Sequence, residues 1–416
     1  MKHNKLTIVF IARVSIDENM GGSVKYFTDL AESFVKLGCN VHILVGTLND
    51  FGPEEYVEKG VVIHKVKLFM RNSFLNYVYR NWKYRCVLRQ LNNRTRVDLI
   101  NIQEAGFLIF VKKDRVLGKI PCVYTFHASC QYEVLYDYEK LKTTYRGVNR
   151  LLRYIKFKAQ HYKFRIAENQ DLRYAKRVIV MSDYVKSQIS TFYGDEYLVK
   201  VKKFPIGVFD EYFLNDSSSQ IQAKTDKNLL IFFTLRRLEP RMGLWNLLSA
   251  IKIVIKKMPA LNLQFIIGGK GPLEVELKER AKELFIENHV SFTGYLSEKE
   301  KLRCLSVADA FVIPTEDLEG FGIVIIEALA NNLPIIATNA GAIPEIINSI
   351  CPELLANGVS GNDIADKIEY FIKNIDSYRN NTKYREYAYH NFRWAKISKD
   401  LLGEFENICY ENTLDK

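Results

Sequence analysis

The 416-residue sequence predicts an α/β protein of two domains, each built around a doubly wound parallel sheet. The chain is longer than one hydrophobic core normally supports, so two domains are expected. Short apolar segments rich in β-branched residues alternate with helical patterns in two series, which is typical of parallel sheets covered by helices. A polar stretch at 215–219 separates the two series. We therefore expect two domains facing each other across a cleft, with a ligand outside the carboxyl ends of the strands.

The composition indicates a soluble globular protein with an anionic partner. Hydrophobic residues make up 48% of the sequence and charged residues 26%, and no apolar run reaches the ~20 residues that span a bilayer. The seven cysteines lack the spacing of a zinc site or a disulfide framework, which favours reduced thiols in a cytoplasmic protein. The apolar run at 6–12 lacks a cleavage site and is interpreted as a first strand rather than a signal peptide. The net charge of +11 points to a nucleotide, a phospholipid surface or nucleic acid.

The N-terminal series begins with a strand, a loop containing Gly21 and Gly22, and a helix that starts near Val24. A second strand follows at 41–45, so this segment forms the first unit of a doubly wound sheet. Its loop lacks the GxGxxG pattern and no acidic residue ends the second strand, which argues against a nicotinamide cofactor. Further strands of this series are predicted at 61–66, 99–102, 123–126 and 178–181.

Two helical stretches of this series, 77–96 and 142–177, interleave lysines and arginines with aromatic residues. Such helices can lie on an anionic membrane surface, with rings at the headgroups and cations at the lipid phosphates. The same pattern also fits a solvated face whose aromatic rings pack on the sheet. No nucleic-acid-binding motif accompanies the charge, so nucleic acid is not expected as a partner. We expect a cytoplasmic protein, and the membrane interpretation places it peripherally on the inner face of the membrane.

The alternation of strands and helices restarts after the polar stretch. Strands are predicted at 229–234, 263–267, 290–292, 310–314 and 334–337, and helices at 244–257, 273–286, 298–307 and 323–331. A last helical region contains Trp394 and 401–410. The resulting domains are an N-terminal acceptor-side domain at 1–208, a linker at 209–227, a C-terminal domain at 228–385, and a helical segment at 386–416 that could cross back to the N-terminal domain.

The stretch 319–328 carries the most informative motif of the C-terminal domain. A predicted strand leads into an acidic loop with Gly320 and Gly322, and an apolar helix follows. Backbone N–H groups and the positive end of the helix dipole would meet at this junction, which favours an anion such as phosphate. Glu319 before the helix and Glu327 within it suit a ligand that also carries hydroxyls, such as a sugar nucleotide. The alternative is a helix with an acidic first turn and one unrelated glutamate.

Two other loops of this domain offer groups for a phosphate. Arg236, Arg237 and Arg241 follow the strand at 229–234, and arginine forms permanently charged, bidentate hydrogen bonds to phosphate oxygens. The turn at 268–272, which includes Gly271, follows the next strand and would let backbone approach a ligand. By itself this turn is equally consistent with a tight connection that ends at proline.

Taken in order, these motifs resemble the retaining glycosyltransferases of the GT-B fold, specifically family 4, also called group 1. Five segments carry the resemblance: the Arg-Arg-Leu-Glu-Pro-Arg-Met-Gly turn at 236–243, Gly-Lys-Gly-Pro at 269–272, Phe-Thr-Gly-Tyr at 292–295, the E-x7-E pattern from Glu319 to Glu327, and Ala-Gly-Ala-Ile-Pro-Glu at 340–345. The N-terminal half resembles the family more loosely. The resemblance implies two Rossmann-like domains with the nucleotide-sugar site in the second.

The resemblance assigns roles within the C-terminal domain. Arg237 would bind the donor diphosphate, and Arg241 would replace a cation that the family often has where this chain has Met242. The amides of Gly322 and Ile323 would hold diphosphate oxygens. Further donor-binding residues follow from the matched motifs: Gly271 in the glycine-rich turn, Glu319 at the sugar hydroxyls and Glu327 at the ribose hydroxyls.

The resemblance also assigns residues of the N-terminal domain. Gly21 and Gly22 lie where the family's glycine-rich loop approaches the diphosphate. His127 lies where the family has an active-site histidine, although a buried, hydrogen-bonded histidine would explain it without the resemblance. The expected catalytic residues are therefore His127, Glu319 and Arg237. A departure from the family pattern at 205–209, including Ile206, weakens any role for that turn.

The implied function is a retaining glycosyltransferase that moves a sugar from a nucleoside-diphosphate sugar, such as a UDP-sugar, to a glycan, glycolipid or other hydroxyl acceptor. Synthesis of a cell-surface polysaccharide or glycoconjugate is the expected context. No cofactor or metal ion is expected, because the family works without one and the sequence shows no Asp-x-Asp triplet. Two alternatives remain: a nucleotide-sugar epimerase of the same fold, and a catalytically degenerate nucleotide-sugar-binding subunit.

Overall fold

The chain forms two compact units, Met1–Pro205 with Trp394–Lys416, and Ile206–Arg393. The computed structural model describes residues 5–12, 21–47, 53–68, 74–142, 147–213, 229–379 and 381–414. Most of the predicted linker, from residue 214 onward, lies outside the described residues, as does the loop at 13–20.

The first unit contains an eight-stranded sheet in the order β3-β4-β2-β1-β5-β6-β7-β8. All paired neighbours run parallel except β3 and β4. Its strands are β1 (Thr7–Ile11), β2 (Asn40–Thr47), β3 (Glu55–Glu58), β4 (Val61–Lys67), β5 (Leu99–Ile102), β6 (Cys122–Thr125), β7 (Arg177–Val180) and β8 (Val201–Lys203). Its helices are α1 (Gly22–Lys36), α2 (Phe74–Thr95), α3 (Leu108–Lys112), α4 (Cys130–Lys142), α5 (Gly147–Tyr174), α6 (Asp183–Tyr193) and, from the chain end, α15 (Trp394–Leu414).

The second unit contains a five-stranded, fully parallel sheet in the order β11-β10-β9-β12-β13. Its strands are β9 (Leu229–Leu235), β10 (Asn262–Gly268), β11 (Val290–Gly294), β12 (Ala310–Ile313) and β13 (Ile335–Ala337). Its helices are α7 (Leu244–Lys257), α8 (Glu274–Glu283), α9 (Glu298–Val307), α10 (Ile323–Ala330), α11 (Ile343–Ile347), α12 (Gly361–Lys373), α13 (Ile375–Tyr378) and α14 (Lys383–Asn391).

The two sheets confirm the predicted α/β class with doubly wound parallel sheets. In each unit the first strand lies between its second and fourth parallel strands, so the strand order reverses beside β1 and beside β9. Ligands of open α/β sheets bind at such reversal points, beyond the carboxyl ends of the strands. Two edge strands were not predicted, because the polar sequence of β3 and the two lysines in the three residues of β8 lack an apolar pattern.

The cores of the two units consist of apolar side chains between sheet and helices. In the second unit, Phe232 on β9 stacks on Phe265 of β10, with ring centroids 4.8 Å apart. In the first unit, Phe405 of α15 contacts Phe34 of α1 at 5.5 Å, and Glu404 pairs with Arg177 at 2.7 Å. The C-terminal helix is thus part of the first unit. Within the described residues, no helix has the length and apolar character needed to cross a membrane.

Candidate active site

In the second unit, the loops that follow β9, β10, β12 and β13 meet at one edge of the sheet. The loops after β9 and β12 flank the point where the strand order reverses. These loops carry the sequence-predicted arginines, the glycine-rich turn and the start of the E-x7-E motif. Parallel strands present their carboxyl ends at the same edge, which explains why motifs far apart in sequence come together.

Backbone hydrogen bonds fix the glycine-rich turn against the arginine loop. The Arg236 amide donates to the Gly268 carbonyl at 3.0 Å, and the Leu238 amide donates to the Lys270 carbonyl at 3.0 Å. A Cβ on Gly271 would lie 2.4 Å from the Leu238 carbonyl oxygen, and one on Gly269, at a φ of +118°, would lie 1.9 Å from that of Arg236. The glycines are therefore needed for this close approach of two backbones, whatever Gly271 also does for a ligand.

Two other glycines fix the backbone around Glu319. Gly243 lies at a φ of +69°, and a Cβ there would be 1.7 Å from the Pro314 carbonyl oxygen. Gly341 lies at a φ of +56°, where a Cβ would be 2.4 Å from the Glu319 carbonyl oxygen, and the amide of Ala342 donates to the same oxygen at 2.8 Å. The loop that carries Glu319 is thus held from both sides, which fixes the position of its carboxylate.

Glu319 pairs with a buried arginine. Nη2 of Arg236 donates to the Glu319 carboxylate and to Thr315 Oγ1, the latter at 2.6 Å. The side chain of Arg236 is buried and that of Glu319 is largely buried. A charge-assisted bond in such a position is stronger than one in water, because the local dielectric is low. The charge of Glu319 is therefore compensated within the protein.

The two arginines that the sequence assigned to the diphosphate lie nearer the surface. Arg237 is about half exposed, with Nη1 3.4 Å from a carboxylate oxygen of Glu239. Arg241 donates from Nη1 to the Leu318 carbonyl at 3.2 Å, and its Nε lies 3.8 Å from Glu239. Met242 is buried. Arg237 thus contacts its own loop, whereas Arg241 also contacts the loop that carries Glu319.

Helix α10 begins at Ile323 after Gly322, which adopts a φ of +89°. The first amides of an α-helix have no intrahelical acceptor, so those of α10 point back toward the loop of Glu319. Glu327 lies about 6 Å further along the helix axis, at 1.5 Å per residue. It is only 2% exposed, although the sequence analysis expected it to meet a ligand.

Glu327 is held by two donors that the sequence analysis did not identify. Lys301 Nζ on α9 donates to Oε1 of Glu327 at 2.8 Å, and the Tyr212 hydroxyl donates to the same oxygen at 3.0 Å. Lys301 also pairs with Glu298 at 2.9 Å. Burial raises the pKa of Tyr212 well above its usual value, and the charges of Glu327 and Glu298 raise it further, so this hydroxyl stays protonated and acts as a donor.

In the first unit, His127 ends a network of uncharged polar side chains. Its Nε2 lies 2.9 Å from Gln103 Oε1, an acceptor, so Nε2 carries the proton. The amide nitrogen of Gln103 donates to Asn101 Oδ1 at 2.9 Å and to Thr125 Oγ1 at 3.2 Å. These side chains come from the carboxyl ends of β5 and β6. The network fixes the orientation and the tautomer of His127.

Burial lowers the pKa of His127 to about 4, so its ring is neutral at physiological pH. The ring meets Tyr26 edge to face, with centroids 5.3 Å apart. Tyr26 lies one turn into α1, whose first residue is Gly22 and whose N-cap is Gly21. The sequence-predicted residues of the first unit are thus near one another, at the start of α1 and the end of β6.

The loop after His127 is anchored by two buried side chains. Gln188 on α6 accepts from the Ser129 amide at 2.8 Å, and Glu168 on α5 accepts from the Cys130 amide at 2.8 Å. The Tyr193 hydroxyl also donates to Glu168. Burial raises the pKa of Glu168. These contacts connect α5 and α6 to the position of the histidine.

Some functional candidates could not be identified from the sequence. Arg236 belongs to the arginine cluster, but nothing in the sequence separates its buried side chain from the exposed one of Arg237. Lys301 follows Glu298 by three residues, the spacing of an ordinary surface pair on a helix. Gln103 offered one usable signal, a polar residue placed directly after a buried strand.

Comparisons with known proteins agree with this architecture. The sequence model described as Glycosyltransferase Family 4 matches residues 20–202, and the one described as Glycosyl transferases group 1 matches residues 216–390. A GDP-mannose-dependent alpha-(1-6)-phosphatidylinositol monomannoside mannosyltransferase of Mycobacterium tuberculosis is 28% identical over 241 residues. These are 55% of this chain and 62% of the relative, so the match spans less than two thirds of the relative's length.

Solved structures show the same fold. Sucrose-phosphate synthase from Thermosynechococcus elongatus superimposes with a TM-score of 0.75 at 18% identity, covering 97% of this chain and 99% of that one. Anabaena Alr3699/HepE in complex with UDP-glucose gives a TM-score of 0.69 at 17% identity, covering 97% and 100%. Together the two family matches, the parallel sheets and these likenesses place the chain: it belongs to glycosyltransferase family 4 and has the GT-B fold.

Proposed function

We propose that this glycosyltransferase transfers a sugar, with retention of configuration, from a nucleoside-diphosphate sugar to a hydroxyl acceptor. The proposal rests on the loop edge of the second unit, which is the edge of its sheet where the loops after β9, β10, β12 and β13 lie. There, Glu319 and Glu327 are each paired with a buried cation, and the N-terminus of α10 lies between them. A diphosphate fits the amides and arginines, and a sugar and a ribose fit the carboxylates. The likeness to a structure solved with UDP-glucose supports this type of donor.

Several of the groups that would bind the proposed donor, Glu319 and Glu327 among them, are held in position by contacts within the protein. The α10 amides of Gly322 and Ile323, with Arg237 and Arg241, would hold the diphosphate. Glu319 would accept hydrogen bonds from the sugar hydroxyls and Glu327 from the ribose hydroxyls. Fixed donors stabilise charge that develops during reaction without the cost of reorganising solvent.

The proposed reaction breaks the bond between the anomeric carbon and the donor phosphate oxygen. The electron pair leaves with the nucleoside diphosphate, where arginines and helix amides stabilise the added charge. The acceptor oxygen attacks the same face of the anomeric carbon, and its proton passes to the departing phosphate. In this scheme neutral His127, whose Nε2 proton is donated to Gln103, accepts a hydrogen bond from a sugar hydroxyl through Nδ1 and does not act as an acid. We also predict that the reaction requires neither a metal ion nor a cofactor.

We further propose that the acceptor is a glycan or a lipid-linked molecule, reached at an anionic membrane surface. Helix α5 supports this: between residues 151 and 162, four large apolar side chains are more than half exposed, namely Leu151, Leu152, Ile155 and Tyr162. The exposed basic side chains beside them are Arg153, Lys156, Lys158, Lys163 and Arg165. Apolar side chains with adjacent cations suit a bilayer with anionic headgroups. The expected context is assembly of a cell-surface polysaccharide or glycoconjugate.

Vesicle flotation tests the membrane proposal. The triple variant R153E/K156E/K158E should lose binding to vesicles that contain phosphatidylglycerol. K278E/R280E/K282E, a matched charge reversal on α8 of the second unit, should retain it. Equal binding by the two variants, or equal binding of the wild type to neutral and anionic vesicles, would contradict the proposal.

Release of nucleoside diphosphate tests the transferase proposal. The wild type is first screened against UDP-, GDP- and ADP-sugars by thermal shift, because a bound ligand raises the unfolding temperature. We expect one donor class to be turned over, and we expect E319A and R237A to lose most of that activity. Equal release by all three proteins would show that the site is assigned wrongly. Binding without turnover would favour the degenerate subunit, and an altered sugar on the nucleotide would favour the epimerase.

A further inference from the structure

Arg236 is the most deeply buried of the three arginines at the loop edge of the second unit. Its side chain is 6% exposed, whereas that of Arg237 is 49% exposed. It directly follows β9, beside the reversal in strand order. The amide of Arg236 is bonded to the Gly268 carbonyl, so its backbone is fixed as well as its side chain. A guanidinium in such a position loses most of its hydration, which is costly unless other groups take the place of water.

The contacts of Arg236 within the protein use only part of its hydrogen-bonding capacity. Nη2 donates to Thr315 Oγ1 at 2.6 Å and to the Glu319 carboxylate. The Nε N–H is buried and has no hydrogen-bond partner among the residues that the structure describes. An unmet buried donor destabilises the fold, and more so when it belongs to a charged group. Folded proteins rarely keep such a donor, and those they keep call for a specific explanation such as a ligand.

The neighbouring arginines differ from Arg236 in their partners. Arg237 and Arg241 both lie within 4 Å of the carboxylate of Glu239, so part of their charge is balanced on their own loop. Arg236 instead pairs with Glu319, the residue proposed to bind the donor sugar. A cation that contacts this carboxylate lies next to the place where the proposed sugar joins the diphosphate.

We propose that Arg236 is a donor-binding residue that acts in two ways. Through Nη2 it holds the Glu319 carboxylate in place, and through Nε it donates to an anionic oxygen of the donor diphosphate. This inference rests on the proposed function and extends it by assigning the diphosphate a buried cation. The alternative is a salt bridge that only stabilises the loops.

Titration with nucleoside diphosphates that lack a sugar separates the two roles. UDP, GDP and ADP are titrated into the wild type and into R236Q, R236K, E319Q and R236Q/E319Q, with R280Q on the exposed face of α8 as control. R236Q should weaken binding at least about tenfold, and E319Q should change it by less than about threefold, because no sugar is present. R236K should recover only part of the loss, since lysine keeps the charge but lacks the Nε donor.

Each outcome of the titration supports or overturns the proposal. It is overturned if R236Q or R236K binds the diphosphate with the affinity of the wild type. It is also overturned if R236Q and E319Q lose equal affinity and the double variant R236Q/E319Q loses no more than either. If R236Q fails to fold, R236K decides, because it preserves a cation beside Glu319. Failure of the wild type to bind any of the three nucleotides would instead overturn the proposed function itself.

Discussion

The loop edges of the two sheets lie at equivalent places in their folds, yet their chemistry differs. In the second unit the polar side chains are ionic, with Arg236 paired to Glu319 and Lys301 paired to Glu327. In the first unit the side chains bonded to His127 form an uncharged network, and the carboxylate of Glu168 instead binds the backbone of the loop that follows. Fixed charges suit the binding of a diphosphate and the stabilisation of its departure. Neutral donors and acceptors suit hydrogen bonds to hydroxyl groups, and they carry no charge that would compete with the arginines for the phosphate.

The largest expected effect comes from breaking the ion pair at Glu327. Lys301→Met leaves a buried carboxylate without its cation, so we expect a loss of about 3–5 kcal/mol in the free energy of unfolding. If Glu327 binds ribose, the variant should also lose discrimination between a nucleoside diphosphate and its 2′-deoxy form, measured by titration. Tyr212→Phe, which keeps the ion pair, is the control and should lose less stability. Unchanged discrimination in Lys301→Met would show that the pair has only a structural role.

A change at His127 tests whether the neutral edge acts on transfer rather than on nucleotide binding. His127→Gln should lower transfer by about 10²-fold, the lower end of what the loss of one fixed hydrogen-bonding group costs. The affinity for the nucleoside diphosphate should stay within about twofold of the wild type. Gln103→Leu, which removes only the acceptor of the His127 N–H, should give a smaller loss of the same kind. A parallel loss of nucleotide affinity would remove the distinction between the two edges.

A third prediction concerns the backbone that positions Glu319. Gly341→Ala places a Cβ about 2.4 Å from the Glu319 carbonyl oxygen at a φ of +56°. Strain of this kind costs about 1–3 kcal/mol, and the displaced carboxylate should lower transfer. Gly403→Ala on α15 is the matched control, since its Cβ meets nothing within 4 Å and alanine favours a helix by roughly 0.5–1 kcal/mol. Full transfer by Gly341→Ala would show that the position of Glu319 is not critical.

The smallest expected effect is on the pH dependence of stability. Because burial lowers the pKa of His127 to about 4, the unfolded chain binds more protons than the folded one between pH 4 and about 6.5. Stability is therefore complete above this window and falls as the pH drops through it. His127→Gln should reduce that fall by roughly 1–3 kcal/mol in denaturant unfolding at stepwise pH. His42, whose pKa burial also lowers to about 4, remains in both proteins. An identical fall in the two proteins would mean that His127 is not held neutral by burial.

Much of the fold could be predicted because buried parallel strands are nearly continuous apolar runs. Strand β5 and helices α7 and α9 have the predicted limits, and most of the other predicted elements differ by one to three residues, whereas helices α11 to α13 were not predicted. Strands β3 and β8 escaped prediction because edge strands need no apolar pattern. The glycine-rich turn was predicted to bring backbone close to a ligand, whereas in the structure Gly269 and Gly271 allow it to approach the backbone of the loop after β9.

The pairing of side chains could not be predicted from the sequence. Arg236 and Arg237 are identical neighbours, and only the direction in which each leaves the strand makes one buried and the other exposed. The partner of Glu327 lies 26 positions earlier, on a different helix, where its spacing from Glu298 resembles a surface pair. Such contacts depend on how the helices pack on the sheet, and that packing is determined by residues distributed over the whole core.

The most direct test of the account is a structure of the full chain with a nucleoside diphosphate that it binds. We expect phosphate oxygens within about 3.5 Å of the Ile323 amide and of an arginine in the loop after β9, with the ribose hydroxyls at Glu327. A nucleotide bound away from the loop edge of the second unit, or one whose phosphates contact neither α10 nor these arginines, would contradict it.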